Sequence, residues 1–258
     1  MSVASSHNAG FFSCCSIRLW RITQYINIHK KLPKIVDTSK SYNKYKPEKS
    51  DVTFNFFEHY DKIKNNIIID SKINYHHHHQ FSDYTKLNYL NKLKPIIEKY
   101  FTPSKKVNTT VEQLVKKYNI DYENTIAVYY RGTDKYKETK IAPFESFYNK
   151  IKEITEINPE LKILIQTDTT QFIDYIKEKK MDSIIIEENT TSSSKKGIHN
   201  EKSSEQNYND MFNLLSTFII ISKCKYFVCS SGNCSIWMVL YRGNANNVYQ
   251  YCNNRWFL

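Results

Sequence analysis

Short apolar runs alternate with helix-like stretches between residues 125 and 241, and this alternation constrains the fold more than any other feature of the chain. Nearly continuous apolar strands that alternate with helices are typical of a parallel sheet covered on both faces. The sequence therefore predicts an α/β fold for this region. The predicted strands are Thr125–Tyr130, Leu161–Gln166, Ser183–Ile186 and Tyr226–Cys229.

The rest of the chain gives weaker signals. Apolar residues at helical spacing predict helices over residues 11–28, 84–100 and 110–118, and after Pro143, Asp168, Asn207 and Asn233. Alternating residues 52–57 predict a strand, residues 32–51 a loop, residues 102–109 a linker, and the polar residues 188–206 a mobile loop.

Three polar loops directly follow predicted strands, at residues 131–135, 167–170 and 230–233. In open parallel sheets, ligands bind at the carboxyl ends of the strands. We therefore expect these three loops to converge on one edge of the sheet and to form a binding site there.

The loop Arg131-Gly132-Thr133-Asp134-Lys135 has two cations, one carboxylate and one hydroxyl within five residues. A guanidinium can give two parallel, permanently charged hydrogen bonds to a phosphate. We therefore predict that Arg131 binds an anionic ligand, with the diphosphate of a nucleotide sugar as the leading candidate. The alternative is a structural ion pair, for example with Glu138.

The formal net charge is +11 and the pI about 9.2, which would usually indicate an anionic partner. Abundant Lys, Asn and Ile indicate instead an AT-rich coding sequence, compatible with a viral gene. The basic residues are spread along the chain rather than gathered into one stripe, so we expect no nucleic-acid partner.

The six cysteines do not follow zinc-binding spacings, so we expect reduced and mostly buried thiols. No apolar stretch approaches the eighteen or so residues that a membrane span needs, and no signal peptide is visible at the start. We expect a soluble cytoplasmic protein.

Four consecutive histidines, His76–His79, could supply ligands to a transition metal. Consecutive side chains do not converge on one ion in a helix or a strand. We therefore predict no metal site there, but a solvated or partly packed loop on the acceptor side of a cleft.

The segment Tyr129–Lys135 resembles a peptide of the fucosyltransferase superfamily, which includes alpha-1,6-fucosyltransferases and O-fucosyltransferases. That peptide reads His-any-Arg, then Arg or Gly, then Thr-Asp-Lys, at the end of a strand. Gln166-Thr167-Asp168 and Ser222–Asn233 resemble two further family segments in the same order, so the resemblance covers about residues 120–242. Tyr129 stands where the family peptide has His, and Gly132 stands where many members have a second Arg. These differences leave the base and the sugar of the donor open.

The resemblance implies a GT-B fold: two Rossmann-like domains with parallel sheets flanked by helices. We expect a reduced acceptor-side domain over residues 1–105 and a nucleotide-sugar-binding domain over residues 106–258. The implied reaction is inverting transfer of fucose from GDP-fucose to a hydroxyl of a glycan or protein acceptor. The family needs no metal, and the nucleotide-sugar donor is a substrate, so no cofactor is expected.

The resemblance also implies roles for individual residues. Arg131 would grip the β-phosphate and act in catalysis, Asp134 and Lys135 would shape the loop and contact the donor, and Asp168 would reach the guanosine. The residues expected at the phosphate or the fucose are Ser230, Ser231 and Asn233.

Alternatives remain open for this site. Asp168 and Asn233 could instead cap helices, and Tyr129 could be a core residue. The chain could use another nucleotide sugar, or bind a nucleotide or glycan without catalysis. Candidates for a catalytic base are Glu58, His59, Asp61 and the histidine run His76–His79.

Overall fold

The structure is a computed structural model that describes residues 2–47, 51–63, 67 and 71–257. Its strands are β1 Ser2–Ala4, β2 Ile35–Asp37, β3 Thr125–Tyr130, β4 Lys162–Thr167, β5 Ile184–Ile185, β6 Tyr226–Ser230, β7 Val248–Cys252 and β8 Arg255–Phe257. Its α-helices are α1 Phe11–His29, α2 Thr53–Phe56, α3 Leu90–Tyr100, α4 Lys105–Tyr118, α5 Phe144–Ile157, α6 Thr170–Glu178, α7 Ser204–Lys223 and α8 Asn233–Arg242.

The large sheet has six strands in the order β5-β4-β3-β6-β7-β8 and is parallel except at β8. All six residues of the central strand β3 are buried. The four strands predicted from the apolar runs are β3, β4, β5 and β6, so that part of the prediction is confirmed. Strands β7 and β8 were not predicted. Asn253 and Asn254 lie between them, and both have positive φ, as expected for a two-residue hairpin turn.

Helices cover both faces of this sheet, because successive side chains of a strand point to opposite sides. Ile126, Val128 and Tyr130 belong to a core formed with α5 and α6. Ala127 and Tyr129 belong to the larger core on the other face, which also contains residues of α1, α3, α4, α7 and α8.

The larger core joins the two halves of the chain. Phe12 of α1 stacks on Phe218 of α7 with ring centroids 4.7 Å apart. Trp237 of α8 is fully buried and packs against Phe101. This core therefore extends across the predicted boundary between residues 105 and 106, and that boundary stays a prediction.

Three local predictions in the N-terminal half are wrong. Residues 32–51 include strand β2, which pairs in parallel with β1. Residues 53–56 form helix α2 rather than a strand, because Asp51 accepts the Thr53 backbone N–H at 3.0 Å and closes a turn before it. The predicted linker includes the start of α4, where the Ser104 hydroxyl accepts the Val107 N–H.

No α-helix in the described ranges combines the length and the apolar character needed to cross a bilayer.

We expect Trp237→Ala to lower the free energy of unfolding by about 3–5 kcal/mol, because it removes a fully buried ring from the larger core. Denaturant unfolding measures this change. The control is Ile157→Ala, at an exposed position, for which we expect a change within about 0.5 kcal/mol. Equal losses in the two variants would contradict the central place of Trp237.

Candidate functional site

A cavity of about 430 Å³ lies at the carboxyl ends of β3, β4 and β6. Its lining includes residues from all three loops that follow these strands, together with the first turns of α1 and α8. The three loops predicted to converge therefore do meet at one edge of the sheet. Of the predicted site residues, those in the lining are Arg131, Asp134, Lys135, Asp168, Ser231 and Asn233.

The Arg131 guanidinium is held by two carboxylates. Its Nη2 donates to Asp134 Oδ1 at 2.7 Å, and its Nε lies 3.4 Å from Asp168 Oδ2. Its Nη1 lies 3.5 Å from Sγ of Cys234, in the first turn of α8. Asp134 thus holds one edge of the guanidinium by a hydrogen bond. Asp168 lies close enough for an ion pair, but Nε makes no hydrogen bond among the described residues, and Nη1 is directed toward the N-terminus of α8. The alternative of a structural ion pair is therefore realised, with Asp134 and Asp168 as the partners, whereas Glu138 pairs with Lys135.

Asp168 braces the loop that carries Arg131. Its Oδ1 accepts the Gly132 backbone N–H at 2.8 Å, and its Oδ2 accepts the Thr133 hydroxyl at 2.6 Å. Both oxygens are therefore used within the protein, which differs from the predicted contact with guanosine. Asp168 also does not cap α6, whose N-cap residue is Thr169.

Close packing explains the glycine after Arg131. A Cβ atom at Gly132 would lie 2.8 Å from Cγ2 of Thr169 and 3.0 Å from Cε1 of Tyr130. Contacts this short cannot be accommodated without movement of the loop. The loop therefore has no room for a second arginine at this position.

Lys135 is a second cation at the cavity, and it is only 4% exposed. Its Nζ bonds Glu138 Oε2 at 2.7 Å and lies 4.6 Å from the centre of the Phe81 ring. The same Nζ would lie 3.0 Å from a Cβ at Gly232, immediately before α8. Burial lowers the pKa of Lys135, and the Glu138 carboxylate opposes that shift.

Two helix N-termini face the cavity. Helix α8 starts at Asn233, and helix α1 starts at Phe11 after Gly10. The first N–H groups of a helix lack partners within the helix, and the helix dipole makes this end attractive to anions. The cavity therefore combines three side-chain cations, Arg131, Lys135 and Lys44, with two helix ends of the same sign.

The predicted site residues Ser230, Ser231 and Asn233 form hydrogen bonds to other groups of the protein. Ser230 accepts the Arg131 backbone N–H at 3.2 Å and lies behind the loop rather than in the described lining. The Ser231 hydroxyl donates to the Tyr251 carbonyl at 2.9 Å. Asn233 Oδ1 accepts the Ser16 hydroxyl at 2.8 Å, which fixes the start of α8 against α1.

One part of the cavity lining was missed by the sequence analysis. Residues 188–206, predicted as a mobile loop, contribute Asn189 and His199 to the lining, and α7 contributes Asp210. Asn189 Nδ2 donates to Gln166 Oε1 at 2.7 Å, whereas Asn189 Oδ1 is buried with no hydrogen-bond partner among the described residues. Ser203 and Gln206 form a capping box at the start of α7. This spacing of residue types is visible in the sequence and indicates the beginning of a helix.

His199 and Gly197 lie against the Arg131–Asp134 pair. A Cβ at Gly197 would lie 2.5 Å from Asp134 Oδ2, so this segment closes directly over the carboxylate. Burial opposes ionisation of Asp134, but Arg131 outweighs it and holds the pKa of that carboxyl below its ordinary value. Burial, followed by the positive charges of Lys44 and Arg131, lowers the pKa of His199 to about 4.

The proposed catalytic bases lie elsewhere in the part of the chain that the structure describes. Glu58 Oε1 accepts the Lys105 backbone N–H, and His59 contacts Asp61. None of these, and none of His76–His79, belongs to the described lining of the cavity. The carboxylates that do belong to it are Asp134, Glu138, Asp168 and Asp210.

We expect stability to fall as the pH drops from 6.5 to about 4, in part because the unfolded chain protonates His199 in this range and the folded chain does not. Replacing His199 with Gln removes this contribution, so stability should fall less steeply in the variant. Urea unfolding across this pH range measures both slopes. The control His29→Gln changes an exposed histidine and should keep the wild-type slope; equal slopes in wild type and His199→Gln would contradict the burial of His199.

Comparisons with known proteins give a result only at the level of structure. No protein-family model matches this chain, and no curated protein sequence is significantly similar to it. The fold is similar to that of NodZ alpha-1,6-fucosyltransferase co-crystallised with GDP, with a TM-score of 0.54 and 11% sequence identity over 98% of this chain and 94% of that chain.

Two related structures give the same result. NodZ alpha-1,6-fucosyltransferase soaked with GDP-fucose has a TM-score of 0.54 and 12% identity over 97% of this chain and 94% of that chain. Fucosyltransferase NodZ from Bradyrhizobium has a TM-score of 0.51 and 11% identity over 96% and 94%. The resemblance seen in the sequence is thus confirmed as a structural one that extends over nearly the whole chain. The chain therefore has the GT-B-like α/β fold of these fucosyltransferases.

Proposed function

We propose that this protein is a glycosyltransferase that moves a sugar from a GDP-sugar to a hydroxyl of a glycan or protein acceptor. Fucose is the proposed sugar, because the structurally similar enzymes are fucosyltransferases. The observation that carries the proposal is the convergence of Arg131, Lys135 and the N-termini of α1 and α8 on one cavity of this fold.

A diphosphate matches the charges in the part of the cavity formed by Arg131, Lys135 and the start of α8. Arg131 Nη1 and the start of α8 lie side by side, and Lys135 approaches the same turn from Gly232. A phosphate placed between them would accept charged hydrogen bonds and backbone N–H bonds at the same time. Asp134 and Asp168 would not compete for it, because both are already bonded to Arg131 or its loop.

The same arrangement would favour the transition state over the bound donor. As the bond between the sugar and the diphosphate breaks, negative charge accumulates on the departing β-phosphate. A guanidinium already oriented by Asp134 and Asp168 meets that charge without having to reorganise. The interaction therefore becomes stronger as the reaction proceeds, which is the condition for acceleration.

We propose that transfer needs no metal. The four carboxylates in the described lining are each engaged: Asp134 and Asp168 with Arg131, Glu138 with Lys135, and Asp210 with Lys202. Each of these carboxylates is thus already paired with a cation of the protein, which disfavours binding of a hard divalent ion. The donors left for the leaving diphosphate would be Arg131 Nη1, the Lys135 ammonium and the first backbone N–H groups of α8.

The proposed stereochemical course is inversion. In a single displacement, the acceptor oxygen attacks the anomeric carbon from the side opposite the diphosphate. The C–O bond to the diphosphate breaks as the new C–O bond forms, and the acceptor proton leaves to solvent or to a base. The diphosphate would face the strand ends, so the acceptor would approach from the outer side of the cavity.

The part of the cavity lined by Asn189 and Asp210 favours a guanine base. Asn189 Oδ1 has no protein donor among the described residues, and Asp210 pairs with Lys202 through Oδ2, which leaves its Oδ1 as a second acceptor. Guanine has N–H donors at two adjacent positions of one edge, whereas uracil has one. Two acceptors in this part therefore match guanine better, while a different nucleotide sugar remains the alternative donor.

A second candidate function is nucleotide or glycan binding without catalysis. The observation that favours it is that no catalytic base predicted from the sequence lies in the described lining. A binder would keep its affinity for GDP but would transfer no sugar, so binding and transfer must be measured separately.

We expect Arg131→Ala to reduce fucosyl transfer by roughly 10²–10³-fold or more, because it removes the charge that stabilises the departing diphosphate. Arg131→Lys keeps one charge without the planar fork and should be intermediate. Release of GDP from GDP-fucose with a glycan acceptor measures the rate.

Arg21→Ala is the matched control, because Arg21 is exposed on α1 and does not line the cavity. Its activity should equal that of the wild type. Thermal unfolding of all variants separates loss of function from loss of fold. Full activity of a folded Arg131→Ala protein would remove Arg131 from the mechanism.

We expect GDP to raise the melting temperature of the protein and UDP, ADP and CDP to leave it nearly unchanged at the same concentration. A ligand at a hundred times its Kd stabilises the folded state by about 2.7 kcal/mol, which corresponds to a shift of several degrees or less for a chain of this size. A shift with UDP alone would support the alternative donor. No shift with any nucleotide would contradict the proposed site, and a GDP shift without transfer would support the binding protein.

A further inference from the structure

The histidine run, predicted as a solvated or partly packed loop, forms a tight turn. Residues His77–Phe81 form a 3₁₀-helix, and His76 caps it by accepting the His78 backbone N–H. One nitrogen from each of His76, His77 and His78 lies within 4.8 Å of the other two. The sequence argument considered only α-helices and strands, and this turn brings together side chains that those elements would separate.

These distances are near those of a metal site. Three imidazole nitrogens at 2.0–2.1 Å from one zinc ion lie about 3.4 Å from each other. Movements of about 1 Å would therefore complete the site, and the broad χ2 range of histidine permits them. His78 is exposed and can swing, whereas His76 and His77 are packed on Trp20 with ring centroids 4.9 and 5.0 Å away.

Two further observations define the ligand set. His79 is already committed, because its Nδ1 lies 2.7 Å from the Tyr89 hydroxyl and its ring stacks on Tyr89. His77 Nδ1, by contrast, is buried with no hydrogen-bond partner among the described residues. A buried ring nitrogen without a partner is costly, so some group outside the described contacts is expected to satisfy the ring.

We propose that His76, His77 and His78 bind a divalent transition-metal ion, with zinc as the ion of choice. Imidazole nitrogens suit zinc, copper and nickel better than magnesium or calcium. Three protein ligands leave one position for water, as in an incomplete tetrahedral site. This site is separate from the proposed diphosphate site, and the proposal does not depend on the proposed function.

The bound ion would stiffen one wall of the cavity. The same turn continues to Gln80, which lines the cavity, and to Phe81, whose ring lies against the Lys135 ammonium. The Tyr84 hydroxyl then donates toward the Gln80 carbonyl and accepts the Gly232 N–H. The metal would thus hold the segment that supports Lys135 and the start of α8, without touching a substrate.

Isothermal titration of the untagged full chain with zinc chloride, after treatment with a chelator, tests the proposal. We expect one equivalent to bind, and to raise the melting temperature in the same buffer. His78→Ala should weaken binding at least tenfold and abolish most of the thermal shift. Because His78 is exposed, this variant should retain the wild-type melting temperature without zinc.

His29→Ala is the matched control, since His29 is also exposed but lies at the end of α1. It should bind zinc as the wild type does. His77→Gln provides a second ligand variant and should also weaken binding. Absence of stoichiometric binding by the wild type, or equal affinity in His78→Ala and His29→Ala, would overturn the proposal.

Discussion

The fixed position of the Arg131 guanidinium is the constraint on which the candidate site depends. Strand β3 is buried along its whole length and ends directly at Arg131. Asp134 bonds the guanidinium from within the same loop, and Asp168 braces the loop from the end of the neighbouring strand. A charged side chain that is only 22% exposed is stable when it is paired. The pairs that hold the guanidinium also orient it: Nη2 donates to Asp134, Nε lies near Asp168 without a hydrogen bond among the described residues, and Nη1 faces α8.

The two cores serve the site by fixing the elements around it. The larger core packs α1, α7 and α8 together, so the N-termini of α1 and α8 reach the same cavity. The bonds from Ser16 to Asn233 and from Trp237 to Ser16 tie these two helices at that end. The smaller core holds α5 and α6 on the opposite face and contributes little to the cavity. The same contacts on one face of the sheet therefore stabilise the fold and position the helices that line the cavity.

The sequence predicted the parts of the site that follow from local pattern. The apolar runs identified β3, β4, β5 and β6, and a general property of parallel sheets then placed their loops together. Asp168 was assigned a ligand contact from the sequence, which stays a prediction; in the structure it lines the cavity and bonds Gly132 and Thr133. Ser230 was likewise expected at the ligand and lies behind the loop. Residue type and strand end were enough to place these residues near the cavity, but not to choose between a ligand and the protein as hydrogen-bond partner.

By itself, the sequence determined the α/β class, the approximate strand ends and the charged residue types of the Arg131 loop, because hydrophobic periodicity and residue type are local properties. Only the tertiary structure decided the rest. Asn189, Asp210 and His199 reach the cavity through α7 and the segment before it, far from Arg131 in the chain. The turn at His76–His79 packs against Trp20 through His76 and against Tyr89 through His79. Such contacts join residues distant in sequence, and no local pattern records them.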